Sequence, residues 1–216
     1  LDFRVPPEGP YPASLVDIHF GIRWCKTKSV AWNGHPDRIG AMGTSSGAHQ
    51  AMLIGMRPDD PRYSALPLPS DAVAVDGTLG CVILVSPVID PLGRYRYAKG
   101  LREDCVPPPG IAERVVSMHD QYWQTEEAMA EAAPAQILDR GERTSLPPVL
   151  ALRRDYEEAH PRPDFDEFVG KYGKAGGQIE VTIFEGEGER ILSDPSTPIA
   201  KQALEQMIAF IQQHIG

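Results

Sequence analysis

Apolar residues fall along this chain in two kinds of run. Short, continuous, β-branched stretches come first to the eye: Gly80 to Ile89, centred on Cys81, Val82, Ile83, Leu84 and Val85, and Val149 to Leu152 after the pair Pro147-Pro148. Such runs belong to strands covered on both faces, as in a parallel sheet. Arg38 to Thr44 reads as another strand, and Ile179, Val181 and Ile183 alternate as a fourth. Leu1 to Arg4 reads as a strand remnant. Between these runs the period changes to that of a helix. Leu15, Ile18, Ile22 and Cys25 recur from Pro12 to about Lys28, and a helix follows over Ser46 to Met56. Helical patterns return over Ile111 to Gln124 and Glu126 to Asp139. Phe165, Phe168, Val169 and Tyr172 form a face ended by Gly176-Gly177. The last helix starts at Thr197-Pro198 with Leu204, Met207, Ile208 and Ile211 toward the core.

Strands alternating with helices predict an α/β fold, a mostly parallel, doubly wound sheet with helices on both faces. Residues 1–216 then make one domain, in which 91–135 is an excursion, a small helical cover over the site. Asn33-Gly34-His35-Pro36-Asp37 is turn chemistry, and the proline-rich stretch 57–78 is a loop.

Composition narrows the function. A net charge of -9 argues against nucleic acid or an anionic membrane surface as partner. No apolar run is long enough to span a bilayer. Three scattered cysteines, Cys25, Cys81 and Cys105, read as reduced, buried thiols of a cytoplasmic protein. No CxxC, HExxH or glycine-rich phosphate loop occurs, so neither a metal nor a cofactor is expected. A homodimer is left open. The chain opens without methionine, and we read it as starting inside a longer protein whose upstream signals are not visible.

One stretch carries chemistry. Ile39 to Thr44 runs as a strand into Gly43-Thr44-Ser45-Ser46-Gly47 and then into a helix. Gly-x-Ser-x-Gly in that setting is the nucleophile elbow: a cramped turn, eased by its two glycines, exposes a serine hydroxyl. Ser45 is the candidate nucleophile, and the Ser46 N–H the candidate oxyanion donor. Arg94-Tyr95-Arg96-Tyr97 with Lys99 and Arg102 offers either a carboxylate-binding mouth or a solvated face. Tyr122 and Trp123 line a pocket or pack in the core; Trp24 and Trp32 read as core.

With these residues in hand, the chain resembles a known family. Tyr11-Pro12-Ala13 with Asp17, Ile22-Arg23-Trp24, Asp37-Arg38-Ile39-Gly40, the elbow, Pro147-Pro148-Val149-Leu150, and Ala175-Gly176-Gly177 through Phe184-Glu185-Gly186 are similar to α/β-hydrolases. The resemblance is to the esterase/lipase branch related to hormone-sensitive lipase and the bacterial feruloyl-esterase-like enzymes. It implies a serine hydrolase that forms an acyl-enzyme on Ser45 and takes small ester substrates. It also implies a His-Gly-Gly oxyanion loop and strands upstream of Leu1, which this sequence lacks.

The same resemblance puts Glu157 at the position of the catalytic acid, with Asp155 in reserve. The usual histidine position, after the last strand, falls on Glu189, and a carboxylate there is a weaker base toward a serine hydroxyl than an imidazole. His160, three residues after Glu157, is the candidate replacement. His49 reads as helix packing, His119 as part of the cover, His19 as near a helix face, His35 as a turn residue and His214 as surface. The alternative to an esterase is a non-hydrolytic member of the fold that binds a small ligand in the same pocket. Glu189 and the pair Arg153-Arg154 favour it.

Overall fold

The computed structural model describes every residue except Glu189, and of Glu187 the backbone alone. Strands β1 (Ala41–Thr44), β2 (Val82–Val85), β3 (Val149–Tyr156) and β4 (Ile179–Glu187) form one sheet in the order β1-β2-β3-β4. Every neighbouring pair is parallel. The connections run through α1 (Ala13–Lys28) before the sheet and α2 (Ser46–Met56) after β1. Helices α3 (Pro91–Asp104), α4 (Gly110–Trp123), α5 (Glu126–Glu131) and α6 (Pro134–Asp139) lie between β2 and β3. Helix α7 (Arg162–Lys174) joins β3 to β4, and α8 (Pro198–Ile215) closes the chain.

The β-branched runs are apolar on both sides because both faces of the sheet are covered. Val82, Leu84, Val149 and Ala151 join Met52 and Leu53 of α2 and Phe165 and Phe168 of α7 in one core. Ile83, Val85, Leu150 and Leu152 turn to the other face and meet Met207 and Phe210 of α8. Each fully buried aliphatic side chain contributes about 1.5–3 kcal/mol of transfer free energy. These central strands therefore anchor the loops at their carboxyl ends, where ligands bind in such sheets.

Several boundaries differ from the sequence reading. Leu1 to Arg4 is not a strand. Its backbone runs across α1 instead, where the Arg4 guanidinium donates from Nη2 to Asp17 Oδ1 at 2.8 Å. β3 continues past Leu152 to Tyr156, and β2 is shorter than 80–89. The pattern over 126–139 is two helices, α5 and α6, because Pro134 lacks the N–H that would continue the first. In α8 the buried face is Ala200, Ala203, Met207 and Phe210, whereas Leu204, Ile208 and Ile211 stay 40%, 55% and 40% exposed. The small alanines let α8 approach the sheet closely, and that sets which face turns inward. Trp24 and Trp32 are on the surface, tilted against each other with ring centroids 5.5 Å apart. Of the three cysteines, all free, only Cys81 is fully buried. Among the described residues no helix is long and apolar enough to cross a membrane.

The basic run after Pro91 is a helix. Asp90 caps it by accepting from Gly93 N at 2.9 Å, and Pro91 sits in its first turn. Its cations meet acids of the next helices: Arg96 reaches Glu126 at 2.9 Å, Lys99 reaches Glu126 at 3.8 Å, and Arg102 reaches Glu113 at 3.3 Å. Tyr95 is buried and donates to Asp120 at 2.7 Å. α3 and α4 are thus held together beside the carboxyl end of the sheet.

One acid at that end is out of balance. Burial, followed by the charges of Asp90 and Glu167, pushes the Asp164 carboxyl up to about 6. A carboxyl whose folded pKa exceeds its unfolded value favours the folded state while protonated. That stability is present below the unfolded value near 4 and is lost as pH rises through about 6. Asp164→Asn is therefore expected to raise unfolding free energy by about 1–3 kcal/mol at pH 8 and by nothing near pH 4. Urea melts of both proteins at the two pH values check this; an equal difference at both would sink it.

Candidate active site

The turn after β1 is strained in the way an exposed serine needs. Ser45 has φ 55° and ψ -119°, a region that L side chains rarely occupy. Two backbone hydrogen bonds hold it there: Ser45 N donates to Val85 O at 3.0 Å, and Val88 N donates to Ser45 O at 3.2 Å. Gly43 is sterically required, since a Cβ there would lie 2.5 Å from Ala48 N and against the Gly47 carbonyl. Gly47 differs from the sequence reading: a Cβ at this position meets nothing within 4 Å. Only one of the two elbow glycines is needed for the backbone to close.

The partner groups come from the loop that follows β3. Glu157 and His160 are 4% and 3% exposed, and a turn joins them, with His160 N donating to Glu157 O at 3.1 Å. His160 Nε2 lies 3.1 Å from Ser45 Oγ, and His160 Nδ1 lies 3.2 Å from Glu157 Oε2. With the Nδ1 proton on the carboxylate side, Nε2 is left to accept from the serine hydroxyl. The other carboxylate oxygen, Oε1, accepts from Ser86 Oγ at 2.7 Å and from Arg154 N at 2.9 Å. Burial alone would raise the Glu157 carboxyl. Hydrogen bonds from His160, the Arg154 N–H and the Ser86 hydroxyl outweigh it and hold the group below the usual range.

Two further residues steady this arrangement: Ser86, which the sequence does not single out, and Arg153, which the sequence reading takes with Arg154 as favouring a non-hydrolytic pocket. Ser86 follows β2 at φ 44°, fully buried, and only the fold brings its hydroxyl to Glu157. Arg153 is 1% exposed, with Nη2 donating to His160 O at 3.1 Å and lying 3.8 Å from Glu157 Oε2. Its guanidinium stacks 5.0 Å above the Phe165 ring. Burial lowers the Arg153 pKa, and the Glu157 charge opposes that shift.

The other candidates fall elsewhere. Asp155 and Glu158 are exposed, so of the three loop acids only Glu157 turns inward. Glu189 lies outside the described residues. His19 is buried on Pro58 O at 2.8 Å, and His35 stands in its exposed turn. His214, half-buried, rests on the Phe210 ring with centroids 4.5 Å apart. His49 Nε2 donates to Ala132 O at 2.8 Å, and burial pushes the imidazole down to about 4. His119, which the sequence places in the cover, lines the cleft, and burial followed by the Arg94 charge holds it at about 4.

A cavity of about 530 Å³ opens at the serine, a size suited to a small organic ligand. Ser45, Ser46, His49 and Gln50 form its floor, and Val115, Met118, His119, Tyr122 and Trp123 of α4 form a wall. Phe3, Val5 and Pro6 of the amino-terminal segment also line it. Tyr122 and Trp123 thus serve both pocket and core, their rings edge to face at 4.8 Å. Among the described residues no group of three or more potential ligands is placed to hold a metal.

The chain is similar to known esterases. Residues 1–79 match the family model BD-FAE. Esterase LipC of Mycobacterium tuberculosis is 28% identical over 172 residues, which are 78% of this chain and 38% of LipC. The probable carboxylic ester hydrolase LipM of the same organism is 30% identical over 63 residues, 29% of this chain and 15% of LipM. Among solved structures, the butyrate-bound esterase Est2 of Thermogutta terrifontis superposes with a TM-score of 0.70 at 23% identity, covering 98% of this chain and 70% of that one. Carboxyl esterase 2 of Tuber melanosporum gives 0.73 at 16% identity, over 100% and 66%. These similarities show an α/β-hydrolase fold and a likeness to feruloyl-esterase-like and other carboxylic esterases. The chain spans well under half the length of the curated relatives it matches. In this fold the two groups in line with Ser45 Oγ, His160 and Glu157, lie on the single loop after β3, three residues apart.

Proposed function

We propose that this chain is a carboxylic ester hydrolase in which Ser45 is the nucleophile, His160 the base and Glu157 the acid. The observation that supports it is the continuous hydrogen-bonded line from Ser45 Oγ through His160 to Glu157, at 3.1 and 3.2 Å. Ser45 Oγ attacks the ester carbonyl carbon as His160 Nε2 takes the hydroxyl proton. Glu157 fixes the tautomer and stabilises the imidazolium without itself becoming protonated. The oxyanion forms beside the Ser46 N–H, in the first turn of α2, where helix N–H groups have no acceptor within the helix. Collapse expels the alcohol, which leaves with the proton from His160. Water then attacks the acyl-Ser45, His160 takes its proton, and the carboxylic acid departs as serine recovers that proton.

In this reading His160 does the work of the residue that the family places at position 189, and Ser86 and Arg153 steady the loop that carries it. The competing reading, a non-hydrolytic binding protein, draws on Glu189 at the histidine position. A fluorophosphonate separates the two, because only an activated serine displaces its fluoride. We expect one adduct per chain, located by peptide mass on Ser45. An unlabelled protein, or label on another serine, would overturn the proposal.

A further inference from the structure

Two polar atoms on residues of the Ser45 cavity have nothing to bond. Gln50 and His119 line the cavity from α2 and α4, and both are more than nine-tenths buried, at 6% and 5% exposed. Among the described residues, Gln50 Oε1 and His119 Nε2 have no hydrogen-bond partner. The other side of each group is engaged. The Gln50 amide meets the Tyr122 hydroxyl, and the His119 ring meets the Val115 carbonyl one turn back on α4. A carbonyl only accepts, so the His119 proton belongs on the nitrogen beside it, and Nε2 keeps its lone pair. Burial, followed by the Arg94 charge, holds this imidazole at about 4, so it is neutral near neutrality. The Tyr95 ring stacks on it, with centroids 6.0 Å apart and 14° between the planes. Both unmatched atoms are therefore acceptors, on a side chain of α2 and a side chain of α4.

A buried acceptor without a donor is destabilising, and native proteins leave few of them. Ionised carboxylates also only accept, so the acids of this part of the chain do not supply the missing donor. A substrate that brings a hydroxyl to these atoms makes the absent bond, and an apolar substrate of the same shape does not. Neither atom is open to solvent, so the hydroxyl reaches it as the lining side chains shift around the bound substrate. The acyl group stays on Ser45 through both half-reactions, whereas the alcohol leaves after the first. Resting on the hydrolase reading above, we propose that His119 and Gln50 determine specificity, and that the preferred substrates are esters of hydroxylated acids whose hydroxyl donates to one of these two acceptors.

The test compares nitrophenyl esters of hydroxy acids with isosteres in which a methyl replaces the hydroxyl, on the full chain. One pair is 3-hydroxybutyrate and 3-methylbutyrate, the other 6-hydroxyhexanoate and heptanoate. We expect kcat/KM to favour the hydroxylated ester of at least one pair by about fivefold or more. His119→Phe and Gln50→Leu keep the bulk and remove the acceptor, and at least one of them is expected to cut that ratio about threefold or more. The ratio is the readout because both side chains line the cavity, and either change moves the rates of both esters. A ratio at or below one in both pairs, or a ratio that neither substitution moves, overturns the inference while leaving the hydrolase reading intact. If no ester is cleaved in a Ser45-dependent way, the hydrolase reading fails. Calorimetric binding to Ser45→Ala then decides. Tighter binding of 6-hydroxyhexanoate than of heptanoate, lost on adding His119→Phe or Gln50→Leu, supports the inference; equal or absent binding overturns it.

Discussion

His160→Ala is expected to lower kcat/KM for short nitrophenyl esters by about 10³- to 10⁶-fold with no change in fold. The reason is the geometry of one loop. His160 is the imidazole within hydrogen-bond distance of Ser45 Oγ, at 3.1 Å, and its other nitrogen is engaged by Glu157. His49, also on the cavity, uses its Nε2 on Ala132 O and is kept neutral by burial, so it is not expected to take over. The double variant Ser45→Ala with His160→Ala is expected to be no worse than either alone, since the two residues act as a unit. Kinetics on the three proteins, with circular dichroism as the control for folding, make the check. Additive losses would mean that His160 acts by some route other than through Ser45.

Gly43→Ala is the second large effect, and it acts on structure. The added Cβ meets backbone, the Gly47 carbonyl and Ala48 N, so no side-chain rotation relieves it. Either β1 and α2 separate or Ser45 leaves its strained conformation. We expect a loss of about 3 kcal/mol or more in stability and of activity by at least about 10²-fold. Gly47→Ala, which meets nothing within 4 Å, is expected to change stability by less than about 0.5 kcal/mol. Thermal melts of the two variants side by side check the contrast; equal losses would contradict the close approach at Gly43.

Much of this fold is legible in the amino-acid sequence itself. The double-sided apolar runs at Val82–Val85 and Val149–Leu152 imply a sheet covered on both faces, and the two cores on either side of it are the result. The elbow is legible because its requirement is local: one strand, one glycine, one serine and one helix start, all within a few residues. The base is less so. Glu157 and His160 sit three apart, a spacing with no meaning until the turn between them folds the imidazole toward Ser45. Ser86 carries no pattern, and Arg153-Arg154 points toward a non-hydrolytic pocket, since the contacts that Ser86 and Arg153 make come from β2 and β3 lying side by side. Helix α3 is hidden because its polar face is a run of cations whose partners lie on α4 and α5. The last helix misleads because bulky apolar residues outweigh alanines in a sequence pattern, whereas close packing on a sheet favours the alanines.

The central claim is that His160, not position 189, supplies the base. The most direct measurement is kcat/KM for one neutral nitrophenyl ester with Glu189→Gln and His160→Ala compared against the parent. The account predicts Glu189→Gln within about threefold of the parent and a loss of about 10³-fold or more for His160→Ala. A collapse of activity in Glu189→Gln with His160→Ala near the parent would contradict it.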